Sequence, residues 1–133
     1  MDQTYLMIKP EAVRAGHWVD ILRIVVQNRF RVRRLEMRRL APDLAREFYA
    51  EHQGKPFFAP LVDYITSGEV LAVCLEGEDP VARLRQLVGA TDPARALPGT
   101  LRYMFGTSLQ ENAVHASDSP ESARRELGIL FPG

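Results

Sequence analysis

The sequence contains little cysteine and no long hydrophobic run. One cysteine, Cys74, among 133 residues excludes an internal disulfide framework and a metal site made only of cysteines. No apolar run approaches the roughly 20 residues that cross a bilayer. The first residues, MDQTYLMIKPEAV, have too short an apolar core for a signal peptide, and Lys9 interrupts it. We therefore expect a cytoplasmic protein with no membrane segment.

An excess of charge of either sign is also missing. The 17 basic and 17 acidic residues cancel, so no overall field favours a nucleic acid or an anionic membrane as a partner. Lysine itself is scarce, because all the basic residues except Lys9 and Lys55 are arginine. Either these two positions require lysine, or the bias reflects the base composition of the genome.

What is present is an ordinary globular composition, 46% hydrophobic and 26% charged. A length of 133 residues suits a single domain, residues 1–133, with a substantial core. Short apolar segments alternate along the chain with segments of helical periodicity. The predicted strands cover residues 4–8, 29–40 with a bulge at Arg33-Arg34, 69–77 and 112–116, and the predicted helices lie around 18–25, after Pro42, at 57–65, at 81–88 behind an Asp79-Pro80 cap and after Ser119-Pro120.

This alternation fits the α/β (α+β) class. It favours a ferredoxin-like βαββαβ fold, a four-stranded antiparallel sheet with surrounding helices, which we expect to pack on one face. A doubly wound parallel sheet is the alternative. The segment 90–112 has no sustained period, and a loop of that length in a small domain is more often functional or partly helical than idle.

Several common motifs are missing from the sequence. It has no GxGxxG, no P-loop around Gly54, no HExxH and no GxSxG elbow. The arginine-rich segment 29–39 raises the question of nucleic-acid binding. Its basic residues alternate with the aliphatic Val32, Leu35 and Met37, whereas sheets that bind RNA carry aromatic residues there. The pattern therefore favours a solvated basic face or a subunit contact over a nucleic-acid site.

His115 is the sharpest candidate for chemistry. Taken alone, a histidine in a short apolar strand is most often a packed core residue. Here Ser117 and Asp118 follow it, just before the helix that begins at Ser119-Pro120, so hydroxyls and free backbone N–H groups cluster near the imidazole. Glu126 lies at the border of the buried helix face, where its carboxylate can accept a hydrogen bond from one ring nitrogen and leave the other nucleophilic.

Three cations indicate which electrophile such a histidine would attack. Lys9 ends the first strand, Arg85 lies beside the apolar stripe of the helix at 81–88, and Arg102 belongs to the long loop. If they converge on His115, they would neutralise the negative charge of a transferring phosphoryl group.

Four segments carry a family resemblance: YLMIKPEAV, FYAEHQGKPFFAPLVDYITSGEVLAVCLEG, LVGATDPARALPGTLRYMF and NAVHASDSPESARREL. Together they contain six short blocks, in the order and spacing of the nucleoside diphosphate kinase family. One such block is weak evidence, but six in register are highly specific. The chain therefore resembles this family from about residue 4 to residue 132.

The resemblance implies a ping-pong phosphoryl transfer through a phosphohistidine at the pros nitrogen of His115, which Ser117 and Glu126 would orient. ATP would be the main donor, and Mg²⁺ would be held mainly by the nucleotide phosphates, with Asp118 as an outer-shell contact. The subunits would form a homo-oligomer, a tetramer or hexamer built from a common dimer. The residues expected to bind the nucleotide are Lys9, Tyr49, Arg85, Thr91, Arg102 and Asn112 at the phosphates and ribose, and Phe57 with Val114 nearby at the base.

The chain also departs from the family pattern. Lys55 stands where arginine is usual, Tyr103-Met104 replaces a Gly-Asp pair, and Glu111 replaces an arginine just before Asn112. These departures motivate an alternative, a catalytically weak member that serves as a nucleotide-binding or scaffolding subunit. His17 and His52 match no catalytic position, so we expect both at the surface.

Overall fold

A four-stranded antiparallel sheet organises the computed structural model, which describes residues 2–133. The strands lie in the order β2-β3-β1-β4, and every neighbouring pair is antiparallel. This confirms the predicted ferredoxin-like sheet and excludes the parallel alternative. The strands are β1 (Asp2–Ile8), β2 (Arg31–Arg39), β3 (Glu69–Gly77) and β4 (Val114–Ala116).

Seven α-helices within residues 2–133 surround the sheet. Proline occupies the first turn of α1, α3, α5 and α7, where its missing N–H costs nothing because that group would have no partner inside the helix. Two short 3₁₀ turns, Ala50–His52 and Pro93–Arg95, complete the connections. The helices are α1 (Pro10–Arg14), α2 (His17–Gln27), α3 (Pro42–Phe48), α4 (Phe58–Ile65), α5 (Pro80–Val88), α6 (Leu101–Phe105) and α7 (Pro120–Leu130).

Helices cover both faces of the sheet, so the expectation of one covered face was wrong. Successive strand residues point to opposite faces, and Leu6 packs in one cluster with residues of α2 and α5 while Tyr5 packs in a second with residues of α3, α4 and α7. The physical reason is visible in β1 and β3, whose apolar residues are continuous instead of alternating. Such strands need burial on both sides.

The edge strand β2 differs from the central strands, because almost all of it is exposed. Its pairing with β3 shifts register between Val32 and Arg34, which confirms the predicted bulge. Leu35, 50% exposed, is one of its uncovered aliphatic side chains. Among the described residues, no helix has the length and hydrophobicity required to cross a membrane.

The segment after α5 turns sharply at Gly89, which has a φ of +91°. A Cβ added there would lie 2.6 Å from the Oγ1 of Thr100, so only glycine fits without displacing that side chain. The long segment that follows is partly helical, because it contains α6. At the other end of α5, Asp79 occupies the cap position, but its side chain makes no capping hydrogen bond. The predicted N-cap position of Asp79 and the proline start at Pro80 are therefore confirmed, although the cap lacks a side-chain hydrogen bond.

Candidate active site

His115 lies in the middle of β4, paired with Met7 of the central strand β1. Its ring packs edge-on against Phe48, with centroids 5.1 Å apart. The side chain keeps 23% of its surface exposed and contributes to the wall of a cavity of about 700 Å³. The imidazole is therefore held by packing on one side and open to a ligand-sized space on the other.

A buried carboxylate holds one nitrogen of this ring. Glu126 Oε1 accepts from His115 Nε2 at 2.8 Å and from the Ser117 hydroxyl at 2.6 Å. An ionised carboxylate can only accept, so this contact matches the tautomer with the ring proton on Nε2 and the lone pair on Nδ1. Glu126 reaches this position because β4 leads directly into α7, whose first turn is capped by the Ser119 side chain.

Two arginines are fixed to the backbone around His115. Arg85 of α5 donates to the carbonyl of Ala116 at 3.2 Å. Arg102 of α6 donates to Gly89 at 3.1 Å and to Val114 at 2.9 Å, while its Nε is buried without a protein partner. Burial, and then the nearby Arg85, lower the pKa of Arg102 to about 10. Both guanidinium groups line the cavity, so an anion placed there would relieve their mutual repulsion.

Lys9 completes the cationic side of the cavity from the end of β1. Its Nζ donates to Asn112 Oδ1 at 2.7 Å, and the amide nitrogen of Asn112 donates to the Thr91 carbonyl at 2.9 Å. Burial, and then the nearby Arg102, lower the pKa of Lys9 to about 8, while Glu11 opposes both. The lysine is thus a cation at neutral pH, in a position with little solvent to stabilise it.

Aromatic side chains form another part of the cavity wall. Phe57 is 48% exposed, whereas Tyr49 is buried and burial raises its pKa. His52 also forms part of this wall, with its ring between those of Tyr49 and Phe57 at centroid distances of 6.3 and 5.2 Å. His52 thus belongs to the cavity wall, although its side chain stays 29% exposed. His17 is partly buried against Phe105 and is absent from the cavity lining.

Most of the predicted binding residues meet in the cavity, but the Val114 side chain does not. It is fully buried in the core on one face of the sheet, and only its carbonyl serves the site, as the acceptor for Arg102. Leu61 and Leu109, which were not predicted, supply apolar lining. The helical stripe of α4 could have indicated Leu61, whereas nothing in the loop pattern distinguished Leu109. The predicted residues that line the cavity are Lys9, Tyr49, Phe57, Arg85, Thr91, Arg102, Asn112, His115, Asp118 and Glu126.

The positions that depart from the family pattern are absent from the cavity lining. Tyr103 and Met104 are exposed on α6, by 53% and 43% of their surfaces. Glu111 is partly buried in a loop closed by a hydrogen bond from the backbone N–H of Thr107 to the Glu111 carbonyl at 2.9 Å. The ammonium group of Lys55 stands 5.7 Å from the centroid of the Phe57 ring. These substitutions thus leave the cavity-lining side chains themselves intact.

Comparison with known proteins identifies the family of the chain. The family model described as "Nucleoside diphosphate kinase" matches residues 2–133. The chain belongs to the nucleoside diphosphate kinase family. It is 46% identical over 131 residues to the nucleoside diphosphate kinase of Pelotomaculum thermopropionicum, an alignment covering 98% of this chain and 88% of the relative. Identity to the Deinococcus radiodurans protein of the same name is 47%, over 98% of this chain and 95% of that protein.

Solved structures from the family have the same fold. The Aquifex aeolicus nucleoside diphosphate kinase superposes with a TM-score of 0.96 at 41% identity, over 99% of this chain and 96% of the other. The enzyme from Halobacterium salinarum, solved in complex with CDP, superposes with a TM-score of 0.96 at 39% identity. The match covers 99% of this chain and 88% of the other. The chain is accordingly a phosphotransferase of nucleoside di- and triphosphates, as the sequence resemblance implied.

Proposed function

We propose that His115 carries the phosphoryl group between the two nucleotides, on its Nδ1. The observation that supports this most directly is the hydrogen bond from His115 Nε2 to Glu126 Oε1, 2.8 Å long. It favours the tautomer with the ring proton on Nε2, whose Nδ1 lone pair would be the nucleophile, in a ring that lines a cavity with three cations.

In the first half-reaction, Nδ1 attacks the γ-phosphorus of a nucleoside triphosphate. The Nδ1–P bond forms while the bond from phosphorus to the β,γ-bridging oxygen breaks, and the diphosphate leaves with that electron pair. The ring becomes positively charged, and the carboxylate of Glu126 stabilises this charge through the Nε2 proton. In the second half-reaction, a terminal oxygen of another diphosphate attacks the same phosphorus and the Nδ1–P bond breaks.

The cations stabilise both steps. Lys9, Arg85 and Arg102 line the same cavity as His115 and would neutralise the charge that spreads over the phosphoryl oxygens. Because backbone carbonyls and Asn112 hold these side chains, little reorganisation is needed when the phosphates arrive. Thr91 and Asn112 would contribute hydrogen bonds to the phosphates or the ribose.

The apolar side of the cavity would take the nucleobase. Phe57 offers an exposed ring on which any base can stack, since every base has a π face. Tyr49 lies deeper, and Leu61 and Leu109 add apolar contacts without base-specific donors. We therefore propose acceptance of several bases, with ATP as the main donor.

The acidic groups near the site fit a magnesium ion that is held mainly by the substrate. Among residues 2–133, no cluster of three His, Cys, Asp or Glu side chains could hold a metal ion. Asp118 is an exposed carboxylate in the cavity wall, and a hydrogen bond from Ser122 lowers its pKa. Mg²⁺ takes few protein ligands when phosphates are present, so Asp118 would contact it through water. When bound, the ion neutralises phosphate charge.

We further propose that the single domain assembles into a homo-oligomer, a tetramer or hexamer built from a common dimer. The exposed aliphatic side chains of β2, with those of α2, support a subunit contact at this edge. Light scattering coupled to size exclusion should give the mass of four or six subunits, and a monomeric mass would contradict the proposal. A cytoplasmic location stays a prediction of the sequence.

The phosphohistidine proposal is tested by incubation with γ-labelled ATP. We expect an acid-labile, alkali-stable label on the protein that is lost in His115→Ala and retained in the control His17→Ala. Full labelling of His115→Ala would contradict the role of His115. Nucleotide binding without any labelling of the wild-type protein would favour the alternative, a catalytically weak binding or scaffolding subunit.

A further inference from the structure

A strained turn immediately precedes the strand that carries His115. Ala113 has a φ of +76°, a conformation that L-residues other than glycine rarely adopt. The N–H of Val114 donates to the carbonyl of Asn112 at 2.9 Å, so the three residues form a tight γ-turn. Such a turn persists only where the surrounding structure holds it.

Ala113 is held at both of its backbone polar groups. Its carbonyl accepts from the backbone N–H of Lys9 at 2.8 Å. Its N–H donates to Glu11 Oε2 at 2.9 Å, and the other carboxylate oxygen of Glu11 accepts from the Tyr64 hydroxyl. Glu11 belongs to α1 and Tyr64 to α4, so two helices clamp the turn through one carboxylate.

The clamped turn connects three groups of the active site. Asn112, on one side of Ala113, accepts from the ammonium group of Lys9 at 2.7 Å. His115, on the other side, follows two residues later in β4. A shift of the turn would therefore displace the lysine partner and the nucleophile together.

Glu11 is also the acidic group that acts on Lys9. The charged groups that influence Lys9 are Arg102 and Glu11, and the ring of Tyr64 lies 5.8 Å from its Nζ. Burial and Arg102 lower the pKa of Lys9, whereas Glu11 raises it. Removal of this negative charge would leave a buried lysine facing an arginine with nothing to oppose their repulsion.

We propose that Glu11, held by Tyr64, is a positioning residue for phosphoryl transfer: its carboxylate fixes the strained turn at Ala113 and its negative charge offsets the repulsion between Lys9 and Arg102. This role rests on the proposed phosphohistidine reaction, because Glu11 would assist that reaction by aligning Lys9, Asn112 and His115. Glu11 itself is outside the cavity lining, so it acts through these residues and not on the substrate.

The presence of just two lysines allows a direct test. In protein labelled with ¹³C at the lysine side chains, the Lys9 and Lys55 resonances can be followed separately through a pH titration. Glu11→Gln preserves size and removes the charge, so the Lys9 midpoint should move to lower pH while the Lys55 resonance stays unchanged. Tyr64→Phe keeps both the charge and the aromatic ring, so its Lys9 midpoint should not fall.

Kinetics give the second readout. For Glu11→Gln, kcat/KM should fall about 5-fold or more at pH 8.5 and less than about 2-fold at pH 6.5, because Lys9 loses its proton at a lower pH. Glu11→Asp, which keeps the charge on a shorter side chain, should restore most of the activity at pH 8.5. It is also the variant to titrate should Glu11→Gln not fold.

An unchanged Lys9 midpoint in Glu11→Gln, together with an equal loss of activity at both pH values, would overturn the proposal and leave Glu11 a purely structural residue. The titration requires no turnover. Failure of the wild-type protein to accept phosphate from ATP would therefore refute the proposed reaction, while the effect of Glu11 on Lys9 would still be decided by the NMR measurement.

Discussion

Glu126 Oε1 lies 2.8 Å from Nε2 of His115 and 2.6 Å from the Ser117 hydroxyl, so one carboxylate oxygen orients the ring and is itself held in place. Glu126 is only 6% exposed. In so dry a position, an ionised group is stable only when its hydrogen bonds are satisfied. In the proposed mechanism, this pair determines which ring nitrogen faces the substrate.

Glu126→Gln should slow phosphorylation of His115 by about 100- to 1000-fold, on the scale of general acid–base effects. The amide can donate to Nε2 and so stabilise the wrong tautomer, with the proton on Nδ1. Rapid-quench measurement of the single-turnover rate checks this. Glu121→Gln, an exposed position on the same helix, is the matched control and should react at the wild-type rate. A wild-type single-turnover rate in Glu126→Gln would show that the carboxylate takes no part in the mechanism.

Arg85→Ala should reduce kcat by about 100-fold, which is typical of the loss of one donor to a developing negative charge. Arg83→Ala on the same helix is the control, since Arg83 packs over Phe30 and donates to the Asn28 carbonyl, away from the cavity. Steady-state measurement of kcat for both variants tests this prediction. Equal losses in the two would show that only helix stability had been perturbed.

Lys9→Met should abolish efficient transfer and yet stabilise the fold. Burial lowers the pKa of Lys9 to about 8, whereas lysine in an unfolded chain titrates near about 10.4. Below pH 8 the folded state bears the full cost of the buried cation, about 3 kcal/mol, and this cost diminishes as the pH rises from 8 toward 10.4. The lost hydrogen bond to Asn112 offsets about 1 to 2 kcal/mol of the gain.

Urea denaturation of Lys9→Met should accordingly show a free energy of unfolding about 1 to 2 kcal/mol above wild type at pH 7, and a smaller difference at pH 10. Lys55→Met controls for the loss of a positive charge at a more exposed site and should show no such gain. A lower free energy of unfolding for Lys9→Met at pH 7, or an increase that does not depend on pH, would contradict the claim that the buried Lys9 cation destabilises the fold.

Phe57→Ala should raise KM for purine and pyrimidine nucleotides alike. The loss of one stacking surface corresponds to about 1 to 3 kcal/mol, or roughly a 5- to 150-fold change in affinity. Phe57→Tyr should retain near-normal KM values, because it keeps the ring. Leu97→Ala, at another exposed apolar position, is the control. A change in KM for only one class of base would show that Phe57 reads the base specifically.

Much of the fold followed from local pattern. The strand at 69–77 was predicted with its observed bounds, since a continuous apolar run between Gly68 and Gly77 leaves little freedom. That same continuity should have indicated two covered faces, but periodicity alone does not say where the helices pack. The helix α6 escaped prediction because its five residues are stabilised by the Thr100 cap and tertiary contacts more than by an amphipathic pattern.

The candidate site was predictable only in part. The sequence pattern around His115 pointed to Glu126. The alternative interpretation, that His115 is only a packed core residue, was excluded only by the family resemblance. His52 and Leu109 line the cavity because of the course of the connecting segments, which no local sequence pattern predicts. The prediction that Val114 lies near the base was wrong for its side chain, because a strand residue next to His115 must point to the opposite face of the sheet.

The position of the phosphate on the ring tests the central claim most directly. ³¹P NMR of the phosphorylated protein in alkaline denaturant distinguishes phosphate on Nδ1 from phosphate on Nε2, because the two isomers are stable there and resonate separately. The hydrogen bond between Glu126 and Nε2 predicts a single isomer, with phosphate on Nδ1 of His115. Phosphate on Nε2, or on a residue other than His115, would contradict the assignment of the nucleophile.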